Sequence, residues 1–283
     1  MNLLILDAGH AKNTLGKRNE KENFYEWEFN NDMQYKIKSR CEELGINVFL
    51  TNPNPGTVSD IALSTRASLA NDYWLKNSKP KSMFISLHAN AFSSDSARGT
   101  ETYVAKNAST TSKNFAKVLN DNIVKTMREL DVNAKDRGVK IENFTVIYKA
   151  DMPSVLVEYG FYTNLSDLKM LKNNRNELVE ATVKSICNYF GVNYNKVQIE
   201  TAVSQGTFYR VVAGSYTNKL NAQLTVDKLK AKGYSAFIAT FTKNNTLYYR
   251  VVAGSYSVRI NADTQINKLK NDGYNAFIEA YKK

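Results

Sequence analysis

Continuous aliphatic runs and helical periods alternate along the first 190 residues. The runs at residues 3–6, 46–50, 82–87 and 154–158 are short and apolar without polar alternation, the pattern of strands buried on both faces. Residues 100–104 read as a further strand. Between the runs, residues 25–44, 60–75, 112–130 and 176–190 carry helix-length apolar periods. Gly45 stops the first helix, Ser59 or Asp60 is the expected cap of the second, and Val179, Val183, Ile186, Cys187 and Phe190 line one face of the last. Strands alternating with helices predict an α/β domain of three layers, a mostly parallel sheet with helices on both faces.

The pattern changes after Phe190. The next stretch is polar with no apolar period, so a linker is expected at 192–206 and a first domain at 1–191. Beyond it the chain repeats itself. Tyr-Arg-Val-Val-Ala-Gly-Ser-Tyr at 209–216 recurs at 249–256, and Lys-Leu-Lys, Gly-Tyr and Ala-Phe-Ile follow at the same spacing in both copies. Each copy reads strand, helix, strand. In the first, Leu220, Leu224, Lys228, Leu229 and Ala231 are the expected helix face, and Gly233 lies just past the helix end. Either repeat, 207–243 or 247–283, is too small for a core of its own. Together they predict a small α+β domain at 207–283, ferredoxin-like, with four strands and two helices on one face.

Composition changes little in this picture. With 43% hydrophobic and 23% charged residues the chain is ordinary for a globular protein. No apolar run reaches a membrane-spanning length, and no membrane partner is expected. The start of the chain lacks a signal peptide's charged region and small-residue cleavage site, so synthesis in the cytoplasm without Sec export is the expectation. Cys41 and Cys187 fall in helical patterns and are expected to be reduced core residues. Charge is more informative. The net +11 is uneven, with 12 lysines and arginines against 5 acidic residues from position 200 onward. A basic tail suits an anionic partner, be it nucleic acid, a membrane surface or a wall polymer, and it also suits solubility alone.

The chain holds only two histidines, and each follows an aliphatic run. In an open α/β sheet the crevice beyond the carboxyl ends of the strands is where ligands bind. Glu26 opens the helix after the His10 loop, and Glu158 ends a strand. Two imidazoles and one carboxylate make the three protein ligands of a catalytic zinc with a free position. A second carboxylate nearby can act as general base and return the proton to a leaving amine. Spacing alone does not establish this. No His-Glu-x-x-His occurs, and a His or Glu taken singly is more often solvated or satisfied in a core.

Leu-Asp-Ala-Gly-His at 6–10 resembles the first ligand motif of the zinc-dependent N-acetylmuramoyl-L-alanine amidases of the Amidase_3 type. Glu-Trp-Glu-Phe-Asn at 26–30 resembles that family's helix start, and Ile-Ser-Leu-His-Ala-Asn-Ala at 85–91 its third ligand motif. Residues 99–103, 137–140 and 152–161 are similar to further family segments, in order, so the resemblance runs from residue 2 to about 190. It implies Zn2+ held by His10, Glu26 rather than Glu28, and His88, with Glu158 as the catalytic residue. It implies hydrolysis of the amide between the muramic acid lactyl group and L-alanine. Ala8 and Ala11 depart from the Pro and Gly the family often carries there, which alters the loop and leaves the ligand in place.

The C-terminal repeat is similar to SPOR domains, which implies binding to peptidoglycan glycan strands. Tyr209, Tyr216, Tyr249 and Tyr256 are candidates for stacking on sugars, although alternating aromatics on a strand serve a core as readily. The expected partner is bacterial peptidoglycan. RNA-binding domains share the split fold, but the strand sequence lacks their aromatic pattern, so no nucleic acid is expected. The Lys- and Asn-rich composition and missing signal peptide favour a phage endolysin of a low-GC Gram-positive host, reaching the wall by holin-type release. The alternatives are a host mother-cell or autolytic amidase and a catalytically silent wall-binding protein. The intact set of four residues opposes the last.

Overall fold

The computed structural model describes residues 2–56, 59–195, 207–256 and 259–282. The chain divides into two compact units, residues 1–196 and 197–283. Most of the linker expected at 192–206 lies outside the described residues.

The first unit begins with β1 (Asn2–Ala8), the short pair β2 (Arg18–Asn19) and β3 (Phe24–Tyr25), helix α1 (Glu26–Glu43) and β4 (Asn47–Leu50). It continues through α2 (Leu63–Lys76), β5 (Lys81–Asn90), β6 (Thr100–Val104), α3 (Thr110–Leu130) and β7 (Asp136–Ile141). It closes with α4 (Thr145–Tyr148), β8 (Ser154–Phe161), α5 (Leu165–Asn173) and α6 (Arg175–Phe190). The main sheet has the order β4-β1-β5-β8-β6-β7. Strands β4, β1, β5 and β8 run parallel, whereas β6 is antiparallel to β8 and carries β7 parallel to itself at the edge.

Both sheet faces are covered. Leu4 and Leu6 of β1 pack with Ile85, Leu87, Val155 and Val157 against Phe29, Met33, Ile37, Leu119 and Val183 of α1, α3 and α6. The alternate residues Leu3 and Ile5 join Phe84 and Leu156 against Ala70 of α2 and Val146 and Ile147 of α4. Successive strand side chains point to opposite faces, so burial on both sides requires the unbroken apolar runs seen in the sequence. From β1 the chain crosses to β4 on one side and returns to β5 on the other. The strand order therefore reverses between β1 and β5, and a crevice opens at their carboxyl ends.

One expected helix start moves. α2 begins at Leu63, and its N-cap residue Ala62 makes no side-chain capping bond. Asp60 instead accepts from the Thr14 hydroxyl at 2.5 Å and lies 3.7 Å from Arg66. Tertiary partners outcompete the local cap.

The second unit contains β9 (Thr207–Tyr216), α7 (Lys219–Ala231), β10 (Phe237–Lys243), β11 (Thr246–Tyr256), α8 (Arg259–Asn271) and β12 (Phe277–Lys282). Its antiparallel sheet has the order β10-β11-β9-β12. Both helices pack on one face, over Val211, Ala213, Val251 and Ala253. The buried stripe of α7 is Ala222, Val226 and Leu229, while Leu220 and Leu224 are exposed. Leu220 lies two residues from Ala222, a rotation of about 200° at 3.6 residues per turn, which turns it away from the sheet. Ala262 and Leu269 repeat the stripe on α8.

Candidate metal centre

The reversal between β1 and β5 brings three distant residues together. His10 lies two residues past the end of β1 in the left-handed region, at φ 64°. That conformation is uncommon for a side chain bearing a Cβ and needs support from its surroundings. Asn52 supplies it, its Nδ2 donating to the carbonyls of Ala8 at 2.8 Å and His10 at 3.0 Å. Asn30 Nδ2 donates to the Gly9 carbonyl at 3.0 Å, and the Gly9 N–H donates to the Leu87 carbonyl at 3.0 Å. A Cβ on Gly9 would meet His88 Cε1 at 2.1 Å. Only glycine lets the His88 imidazole lie against this loop.

Glu26 is the first residue of α1, and His88 lies inside β5, which runs on to Asn90. Glu26 Oε1 is 3.0 Å from His88 Nδ1 and 3.3 Å from His10 Nε2. It also accepts from the Ala89 N–H at 3.3 Å. One donor atom from each of the three residues lies within 4.8 Å of the others. The two imidazoles meet edge to face, their centroids 4.9 Å apart.

The electrostatics suit a cation. Burial pushes the Glu26 carboxyl up, but hydrogen bonds and charge from His10 and His88 outweigh it and hold it at about 2. Burial pushes His88 below its ordinary value, against the pull of Glu26, which favours the neutral ligand form. Two neutral imidazoles and a carboxylate are the donor chemistry of a zinc site with a free position. The donor set, which Gly9 lets assemble by leaving room for the His88 ring, therefore fits a divalent ion.

Glu158 lies on β8 as the direct neighbour of His88, and β8 continues past it to Phe161. Its Oε2 is buried and has no hydrogen-bond partner among the described residues. Burial, followed by the charges of Glu26 and Glu101, pushes its carboxyl well above the ordinary 4.5. A carboxylate in this setting is poised to exchange a proton with a group in the crevice.

Supporting residues were harder to see in the sequence. Asp7 is fully buried between the runs and accepts from Thr51 Oγ1 at 2.6 Å, Ser86 Oγ at 2.7 Å and Arg66 at 3.1 Å. It ties β1 to β4, β5 and α2 just below the site. A lone carboxylate directly after an aliphatic run was the available signal. Glu101, in the 99–103 motif, is the cross-strand partner of Glu158 and is also buried.

In the second unit, Tyr209, Tyr216, Tyr249 and Tyr256 pack against the core under the helices. They are not the sheet's open surface. That surface carries Phe237, Phe277 and Tyr281, each more than a third exposed. Arg210 lies 3.3 Å from the Tyr281 ring centroid, and Arg250 lies 3.8 Å from that of Phe241 while pairing with Glu279.

The sequence family described as N-acetylmuramoyl-L-alanine amidase, Amidase_3, matches residues 4–188, and the SPOR domain family matches residues 205–278. The sporulation-specific N-acetylmuramoyl-L-alanine amidase of Bacillus subtilis strain 168 is 26% identical over 243 residues, 83% of each chain. The endolysin of Bacillus phage SPP1 is 31% identical over 112 residues, 39% of this chain and 41% of that one. Among solved structures, the catalytic domain of CwlV, the amidase from Bacillus (Paenibacillus) polymyxa var. colistinus, is 28% identical with a TM-score of 0.58. That match covers 68% of this chain and all of the CwlV domain.

Proposed function

The chain belongs to the Amidase_3 family of N-acetylmuramoyl-L-alanine amidases and carries a SPOR domain, and from that premise we propose that it is a zinc-dependent hydrolase of the amide between N-acetylmuramic acid and L-alanine. The observation that carries this reading is the convergence of donor atoms of His10, Glu26 and His88 within 4.8 Å, beside Glu158, whose buried Oε2 has no hydrogen-bond partner among the described residues. The three donors would hold zinc. When bound, the metal would polarise the scissile carbonyl and ease deprotonation of the attacking water. Glu158 takes the proton of that water and returns it to the L-alanine nitrogen as the C–N bond breaks. Glu26, already ionised, leaves Glu158 as the acid–base group of the pair.

The open sheet face of the SPOR domain, with its exposed aromatics and fixed arginines, would hold peptidoglycan strands. Two settings share this chemistry. The SPP1 endolysin supports release of a phage enzyme into the wall. The longer match to the sporulation-specific enzyme supports a host role. No described helix is long and apolar enough to cross a membrane.

The test is mass analysis of purified Gram-positive walls after incubation with the zinc-loaded protein. New L-alanine N-termini are expected, and a chelator is expected to abolish them. Glu158→Ala is expected to keep stoichiometric zinc and wall binding while losing this release. Unchanged turnover in that variant would remove Glu158 from the chemistry.

A further inference from the structure

The edge of the sheet beyond Glu158 carries a cationic pair that the amidase chemistry leaves unused. Arg137 and Lys140 stand on β7 and both reach the buried Glu101 on β6. Glu101 also accepts from Asn90 Nδ2 and from the Tyr103 hydroxyl, each at 2.7 Å. Burial raises its carboxyl, but hydrogen bonds from Lys140, Arg137 and Tyr103 hold it below its ordinary value. The cluster therefore holds two positive charges and one negative. Arg137 commits Nε to Glu101 at 2.5 Å, and its guanidinium carbon lies 4.9 Å from the Phe161 ring centroid. Its two terminal nitrogens have no hydrogen-bond partner among the described residues, and the side chain is 35% exposed. A guanidinium fixed at Nε and laid over a ring presents its outer edge as a preformed fork for a carboxylate.

The position is as telling as the chemistry. Phe161 lies three residues beyond Glu158 on the same strand, and Glu101 faces Glu158 across the sheet. Neighbouring strands are about 4.8 Å apart, so β7 lies roughly 10 Å from β8, and the Arg137 side chain reaches back over part of that distance. An extended peptide advances about 3.5 Å per residue, so a peptide cleaved beside Glu158 and leaving in the direction of β7 would bring its second residue toward Arg137. Without the two cations, Glu101 and Glu158 would repel an anionic peptide there.

We propose that Arg137, backed by Lys140, is the subsite for a carboxylate on the peptide side of the scissile amide, one residue beyond the alanine. The inference rests on the amidase reading. Arg137 touches substrate in this account, and Glu101 is a positioning residue that aims it.

The experiment is steady-state kinetics of the zinc-loaded full-length protein on two soluble muramoyl peptides. They differ only in whether the second residue carries a free carboxylate or a carboxamide. The carboxylate substrate is expected to be preferred. Arg137→Ala is expected to raise its KM by roughly tenfold or more, the scale of a lost charge-assisted hydrogen bond, and to raise the carboxamide KM by clearly less. Arg137→Lys should recover part of the loss. Glu101→Gln should raise KM in the same substrate-dependent way without lowering zinc content. Equal effects of Arg137→Ala on both substrates, or on neither, overturn the subsite alone. Failure of the wild-type protein to cleave either peptide overturns the amidase reading and the subsite with it.

Discussion

At the scale of single residues, the site depends on groups with little freedom to change. Gly9 is the clearest case. A methyl group there would sit inside the His88 ring, so loop or ring must move. Gly9→Ala is expected to lower zinc affinity by at least roughly tenfold, the scale seen when residues that orient ligands are lost. Titration of the apo protein with zinc reads this directly, and unchanged affinity would mean the loop yields without cost. The same cluster sets an acid limit on the metal-free protein. Glu26 is held at about 2 in the fold, below its ordinary 4.5, so its contribution is full above 4.5 and is lost as pH falls toward 2. His88 is lowered by burial from 6.5, so below 6.5 the unfolded chain binds the extra proton more readily. Both signs agree, and the Tm of zinc-free protein is expected to fall as pH drops through this range. Glu26→Gln should flatten the lower part of that curve.

At the scale of elements, the apolar runs identified β1, β5 and β8 because a strand covered on both faces must be apolar at every position. The boundaries were less legible. β5 runs on through His88 to Asn90, because the sheet still pairs it with β8 after the aliphatic residues end. The α7 face was misassigned between Leu220 and Ala222, since the leucines gave the stronger local pattern but Ala222 faces the sheet. The tyrosine stripe of the repeat likewise belongs to the core side. The opposite side supplies the prediction at this scale. Arg210→Ala and Arg250→Ala each remove a cation resting on an aromatic ring, an interaction of about 0.5–2 kcal/mol. Both are expected to weaken pelleting with insoluble walls severalfold while the domain stays folded. Tyr249→Ala, which empties a core position, is expected to lower Tm instead. Wall binding that ignores both arginines would move the contact surface elsewhere.

At the scale of the whole molecule, each unit encloses its own hydrophobic core. Truncation after residue 195 is expected to leave turnover of soluble muramoyl peptides unchanged and to abolish retention on walls. Loss of soluble turnover would show that the catalytic unit needs the second unit for more than targeting. The sequence by itself determined the alternation of strands and helices and the internal repeat, and it put forward a two-part division and four candidate site residues. Each of these is written in local periods, in spacing, or in motifs a few residues long. Only the tertiary structure decided that residues 10, 26 and 88 converge with Glu158 as the neighbour of His88 in the sheet, that Asp7 pairs with Arg66, and that Arg137 reaches Glu101, the cross-strand partner of Glu158. Those contacts join residues dozens of positions apart, and they form only where the strand order reverses and neighbouring strands come into register.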